Sequence, residues 1–247
     1  MATGSTDGSV EMSSRRIRGI LTPFVVPLDD QSRINESELR RYIRWLISKG
    51  IHGFFANGST GEFTRFTFEE RRQITKIVVD EARGKAYIVA GAAEANVNQV
   101  LDACSCYAKL DCDVIGLCPP YYFKLNQESL HKYFTKIADG SPKPILLYNI
   151  PAFTNSLSVE TVKKLAMHRN IMGMKDSSRD LSAFLLLMHE IRQDRPDFVF
   201  LTGTEEMLLP SLFMGADGGI LATSCVVPEV LVSLYDRFQK GELEHAR

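Results

Sequence analysis

The chain has little that would mark it as a metal, nucleic-acid or membrane protein. Its cysteines number five (Cys104, Cys106, Cys112, Cys118 and Cys225), an odd count, and their spacing fits no paired C-x2-C pattern. The five histidines, at 52, 131, 168, 189 and 245, form no H-E-x-x-H cluster, so no metal site is expected. Unpaired thiols of this kind read as buried and reduced, which makes a cytoplasmic location the default. Surplus charge is missing too. With 29 Lys and Arg against 30 Asp and Glu, the net charge of -1 gives nucleic acid or an anionic membrane no electrostatic hold. Apolar runs stop at strand length, well short of the ~20 residues of a membrane helix. Residues 1–16 are small and polar without an apolar h-region, and they read as a disordered tail rather than a secretory signal. What remains, 17–247, suits one α/β domain.

Two periods alternate through that domain. Short apolar runs such as Gly19–Val25, His52–Ala56, Tyr87–Gly91 and Asp113–Cys118 are each followed by a stretch with 3.6-residue periodicity. Pro144–Tyr148, Ile171–Lys175, Phe198–Leu201 and Gly218–Ala222 continue the series to eight units. Asn35 with Glu38, and Thr67 with Glu70, have the form of capping boxes at helix starts. The runs are apolar throughout rather than alternating, as in parallel strands buried on both faces. Eight such units predict an α/β fold of the (β/α)8 TIM-barrel type. An open doubly wound sheet would usually carry a glycine-rich nucleotide loop after its first strand, and here that place is held by Thr22-Pro23-Phe24.

Barrel chemistry belongs at the carboxyl ends of the strands. Those ends carry Thr22, Ser59 and Thr60, Tyr121 and Tyr122, Tyr148, Lys175, Glu205 and Glu206, and Thr223 and Ser224. The chain is organised around Ile171-Met-Gly-Met-Lys-Asp-Ser-Ser178, where four uncharged residues run straight into Lys175. A lysine at the end of a buried strand loses hydration, which disfavours its charged form. A neutral amine attacks a ketone to form a Schiff base. The ordinary alternative is a lysine paired with Asp176 or with solvent. A strand-end phenol, Tyr148, suits proton transfer in the same chemistry, and the hydroxyls and backbone N–H groups of the loop 58–62 suit binding of a carboxylate. Each also has a bland reading: Tyr148 as packing, the loop as a tight turn, and Glu205 and Glu206 as helix-start charges favoured by the dipole. No Ser/His/Asp set converges on this rim.

At these residues the chain resembles the dihydrodipicolinate synthase / N-acetylneuraminate lyase family of class I aldolases. The resembling stretches are Gly58-Ser-Thr-Gly-Glu62, Pro120-Tyr-Tyr122, Tyr148-Asn-Ile-Pro151, Gly173-Met-Lys-Asp-Ser177 and Gly215-Ala-Asp-Gly-Gly219, in order from about Gly19 onward. The resemblance implies that Lys175 forms a pyruvate imine, that Tyr148 relays protons, and that Ser59 and Thr60 bind the carboxylate and complete the relay. It also implies that Tyr122 reaches into a neighbouring subunit of a homo-oligomer, a dimer or tetramer. Thr22, Gly58, Ser177 and Ile220 fall on the substrate side of the same rim. The covalent lysine imine then serves without metal or organic cofactor, and the partners are a small 2-oxo acid and pyruvate.

Two departures shape the expected activity. Synthases that condense pyruvate with aspartate semialdehyde carry an arginine two residues after the proline of Tyr-Asn-x-Pro, and Phe153 stands there. Sialic acid lyases of the family have an apolar residue at that place and acidic residues after the seventh strand, where Glu205 and Glu206 lie. The expected enzyme is therefore a lyase that releases pyruvate from a 2-keto-3-deoxy sugar acid or a sialic acid, with 4-hydroxy-tetrahydrodipicolinate synthase as the alternative. A catalytically silent binding barrel, and an isomerase holding a phosphate at Gly203-Thr204 and Gly218-Gly219, are further alternatives. The second departure is length: the chain ends at Glu242–Arg247, where a helix is expected to begin, and lacks most of the family's C-terminal helical extension.

Overall fold

A computed structural model describes residues 16–246. The expected tail falls on 1–15, outside the described residues. Arg16, which the sequence reading left in that tail, is held: its guanidinium donates to the Pro196 carbonyl at 2.9 Å and to Asp217 at 3.0 Å.

Eight parallel strands close on themselves: β1 (Gly19–Pro23), β2 (Gly53–Ala56), β3 (Tyr87–Gly91), β4 (Val114–Leu117), β5 (Ile145–Asn149), β6 (Ile171–Asp176), β7 (Val199–Thr202) and β8 (Gly218–Ile220). The seam is the pairing of β1 with β8, where Leu21 lies opposite Ile220. A helix follows each strand: α1 (Glu36–Ser48), α2 (Phe68–Ala82), α3 (Val97–Lys109), α4 (Gln127–Gly140), α5 (Val159–Ala166), α6 (Leu181–Asp194), α7 (Leu208–Phe213) and α8 (Pro228–Gln239). The protein is a (β/α)8 barrel.

Both faces of every strand are buried because strand side chains alternate between two apolar layers. Ile20, Phe54, Ile88, Ile115, Leu147 and Phe200 pack beneath the helices. Leu21, Phe55, Val89, Leu146, Val199 and Ile220 fill the barrel interior. The helices present matching stripes, as α1 does with Leu39, Ile43 and Leu46.

Caps set where these helices begin. At Thr67 and Glu70 the reciprocal capping box is complete. At Asn35 only half of it forms, the side chain accepting from the Glu38 N–H. Helix α7 has six residues, follows a 3-10 turn at Glu205–Met207 and carries Pro210 in its first turn, where a missing N–H costs nothing. The helix start expected at 242–247 is a 3-10 turn at Leu243–His245.

One irregularity interrupts the ladder. Ile145 pairs with Ile171, but Leu146 pairs with Gly173, so Met172 of β6 is an extra residue with no counterpart on β5. Beyond it the register runs on, and Tyr148 lies directly opposite Lys175.

Candidate active site

Lys175 stands near the carboxyl end of β6 and is 5% exposed. Its Nζ sits 4.1 Å from the centroid of the Tyr148 ring and 5.2 Å from that of Phe55. These two rings, from β5 and β2, meet edge to face at 5.7 Å. Aromatic faces hold the amine without fixing it in an ion pair. The adjacent carboxylate is engaged elsewhere. Buried Asp176 accepts from Asn149 Nδ2 at 2.7 Å, from the Ser178 N–H at 2.9 Å and from the Ser178 hydroxyl. The pairing of Lys175 with Asp176 considered from sequence is not formed.

Gly203, just after β7, makes room for the lysine. A Cβ built there would lie 1.9 Å from Ser177 Oγ and 2.9 Å from Lys175 Cε, so any side chain would push the lysine stem aside. Ser177 is thus a neighbour of that stem, and its N–H donates to the Asn149 carbonyl at 2.8 Å.

Above the rings opens a cavity of about 330 Å³, lined among others by Phe55, Gly58, Ser59, Cys118, Tyr148 and Phe153. Ser59 Oγ is 3.5 Å from the Tyr148 hydroxyl. The loop after β2 is bent between two residues in left-handed conformation, Asn57 at φ 56° and Glu62 at φ 50°. Asn57 Nδ2 donates to Thr75 Oγ1 at 2.9 Å and to the Arg71 carbonyl at 3.1 Å, tying the loop to α2. Burial pushes the Cys118 thiol up to about 12, so it enters the wall as an apolar group and not as a nucleophile.

The other expected site residues divide. Phe153 lines the cavity mouth and is 69% exposed. Ile220 is fully buried in the barrel interior. Thr60 lines a neighbouring groove of about 460 Å³ with Val25, Leu28 and Ser32, rather than the cavity of Tyr148. The Thr22 hydroxyl accepts from Ser224 Oγ at 2.9 Å. Glu205 accepts from the N–H and hydroxyl of Thr223 at 2.8 and 3.0 Å, while Glu206 lies 3.5 Å from Arg179. Neither glutamate is among the residues lining the cavity of Tyr148. Tyr122 is 89% exposed at φ 82° and packs edge to face on Phe123 at 4.9 Å.

Four residues escaped the sequence reading. Phe55 lies four residues before Ser59, one position short of the end of β2. Glu62 and Arg65 line the cavity from the turn after the glycine loop. Asn155 is buried and clamps the loop of Tyr122, donating to the Pro120 and Phe123 carbonyls at 2.7 and 2.8 Å and accepting from the Leu125 N–H at 2.9 Å. An asparagine just past Tyr-Asn-x-Pro was the available signal, but its partners sit some thirty residues away.

Among the described residues no set of three or more His, Cys, Asp or Glu is placed to hold a metal ion, and no helix is long and apolar enough to cross a membrane. A closed barrel with a buried lysine over a tyrosine ring at its catalytic end is the architecture of a barrel lyase. The chain belongs to the dihydrodipicolinate synthetase family, whose sequence profile matches residues 16–247, and it is a carbon–carbon lyase of that family. A relative from Methanopyrus kandleri, a 4-hydroxy-tetrahydrodipicolinate synthase, is 36% identical over 235 residues, 94% of this chain and 77% of its own length. An uncharacterized DapA-like lyase of Pyrococcus horikoshii is 34% identical over 93% of this chain and 79% of its own. Among solved structures, a 2-keto 3-deoxygluconate aldolase from Picrophilus torridus superposes with a TM-score of 0.85 at 33% identity, covering 93% of this chain and 83% of its own.

Proposed function

We propose that the protein is a Schiff-base aldolase that cleaves a hydroxylated, sugar-derived 2-oxo acid to pyruvate and an aldehyde. The observation that carries this reading is the amine of Lys175 lying against the Tyr148 ring, with the Tyr148 hydroxyl turned to Ser59 in the cavity. Lys175 Nζ adds to the C2 ketone and water leaves, giving an iminium. Tyr148 takes the proton of the C4 hydroxyl as the C3–C4 bond breaks. The bond electrons pass to C3 and are held as the enamine, and the aldehyde departs. Protonation of C3 and hydrolysis then release pyruvate and restore the amine. The Ser59 hydroxyl and the backbone N–H groups of the Gly58 loop hold the substrate carboxylate. The Ser59–Tyr148 contact at 3.5 Å is loose and suits a bond that tightens on a ligand. Neither metal nor organic cofactor enters these steps.

Phe153 at the mouth supports a sugar-derived substrate over aspartate semialdehyde, because an apolar side chain offers a second carboxylate no partner. The likeness to the Picrophilus torridus aldolase points the same way. Exposed Tyr122 and Phe123 form an apolar surface that a second subunit of a cytoplasmic homo-oligomer would cover.

Borohydride reduction with pyruvate, followed by intact mass and peptide mapping, tests the reading. One pyruvate adduct on Lys175 is expected, with turnover of 2-keto-3-deoxy acids or sialic acid and little of aspartate semialdehyde. A folded protein that takes no adduct overturns it.

A further inference from the structure

The cavity lined by Tyr148 and Ser59 has a charged wall built from a single turn. Glu62 and Arg65 are the one acidic and one basic residue lining it. They are also the only two residues that it shares with the neighbouring groove of Thr60, so they form the partition between the two spaces. Arg65 Nε lies 3.3 Å from Glu62 Oε2. Their backbones belong to the substrate loop: the Glu62 N–H donates to the Ser59 carbonyl at 3.0 Å, and the Arg65 N–H to the Glu62 carbonyl at 2.8 Å.

We infer that this ion pair reads the half of the substrate that leaves as aldehyde, and that it selects an uncharged, polyhydroxylated chain over one ending in carboxylate or phosphate. The inference rests on the aldolase reading above and adds the substrate class of its distal end. A polyol finds both halves of what it needs: the Glu62 carboxylate accepts from a hydroxyl, and the guanidinium nitrogens of Arg65 not facing Glu62 donate to another. The pair stays intact while it does so. A terminal anion meets a wall of net charge zero. It gains Arg65 only by displacing Glu62, which then stands beside it as a like charge. Among the described residues, the lining holds no second cation to relieve that repulsion. The partition lines the cavity itself, whereas Glu205 and Glu206 are engaged with Thr223 and Arg179.

The two charges act in opposite directions, and that makes the inference testable. Condensation of pyruvate with D-glyceraldehyde and with D-glyceraldehyde 3-phosphate is measured as kcat/KM for the wild type, Glu62→Gln and Arg65→Gln. Both side chains are mostly exposed, at 60% and 73%, so folding is not at stake. The wild type is expected to favour the neutral aldehyde. Glu62→Gln narrows that preference, and Arg65→Gln widens it, each by roughly tenfold, the scale of one pocket contact. A wild type that favours the phosphorylated aldehyde, or two variants that shift the ratio the same way or not at all, overturns the inference. Borohydride trapping of pyruvate on Lys175 is run on all three proteins. Adducts at equal yield with an unmoved ratio sink the distal-end inference alone, and absence of the adduct from the wild type sinks the aldolase reading and this inference with it.

Discussion

The mouth of the barrel has two halves that carry the same kinds of side chain and use them differently. From β7 around to β1 the polar groups are spent on one another. Ser224 shares its one hydroxyl proton between Thr22 and the Leu221 carbonyl, Thr223 donates to Glu205, and the Thr202 and Thr204 hydroxyls lie 3.4 Å apart. From β2 to β6 three of them are left open: Ser59 and Tyr148 approach only to 3.5 Å, and Lys175 rests on rings. A hydroxyl with a full set of protein partners holds loops together, whereas one without them has its bonding capacity free for a ligand. Residue type alone does not separate the two halves, since threonine, serine and a carboxylate occur in both.

The comparison breaks most sharply at Lys175. Lys175→Ala should abolish borohydride trapping and lower kcat by at least about 10⁴-fold, the scale of removing a covalent nucleophile. Next comes Tyr148→Phe, which keeps the ring beneath the amine and removes only the hydroxyl. Its kcat should fall by about 10²–10⁴-fold, with the pyruvate adduct still detectable by mass. Gly203→Ala probes the space rather than the chemistry. A methyl group in contact with the lysine stem should cost about 100-fold in kcat/KM, read beside a circular dichroism spectrum that stays native. The smallest catalytic effect belongs to the closed half. Ser224→Ala leaves Thr22 and the Leu221 carbonyl short of a donor and should lower unfolding stability by about 1–3 kcal/mol in urea titration, while kcat/KM stays at the wild-type value. A large catalytic loss there would erase the distinction between the halves.

The strands and most helices were legible because burial on both faces leaves continuous apolar runs, and helices announce themselves by period and cap. Lys175 and Tyr148 were legible for the same reason: each terminates such a run, and strand ends share one rim. Side chains on irregular loops were not. The orientation of Glu205 depends on Thr223, eighteen residues on, and Thr60 turns to a groove built by the loop after β1. Arg65 belongs to a three-residue turn too short to show any period. Asn155 shows its worth only once two loops are side by side.

The unmatched Met172 has an arithmetic consequence. In an unbroken strand, residues four apart point to the same side. Ile171 packs outward beneath the helices, and by that count Lys175 would join it. The extra residue changes the parity: Met174 packs outward with Ile171, while Met172 and Lys175 turn to the interior. Gly173 occupies the kink where a Cβ would meet the Val199 carbonyl at 2.5 Å. A β6 of the same length paired without the extra residue would restore even counting and send the amine into the wall between barrel and helices. The same side chain would then be a buried charge without a substrate. In a lineage of such barrels, the reactive lysine is therefore guarded less by which residues surround it than by the one unpaired residue in the strand that carries it.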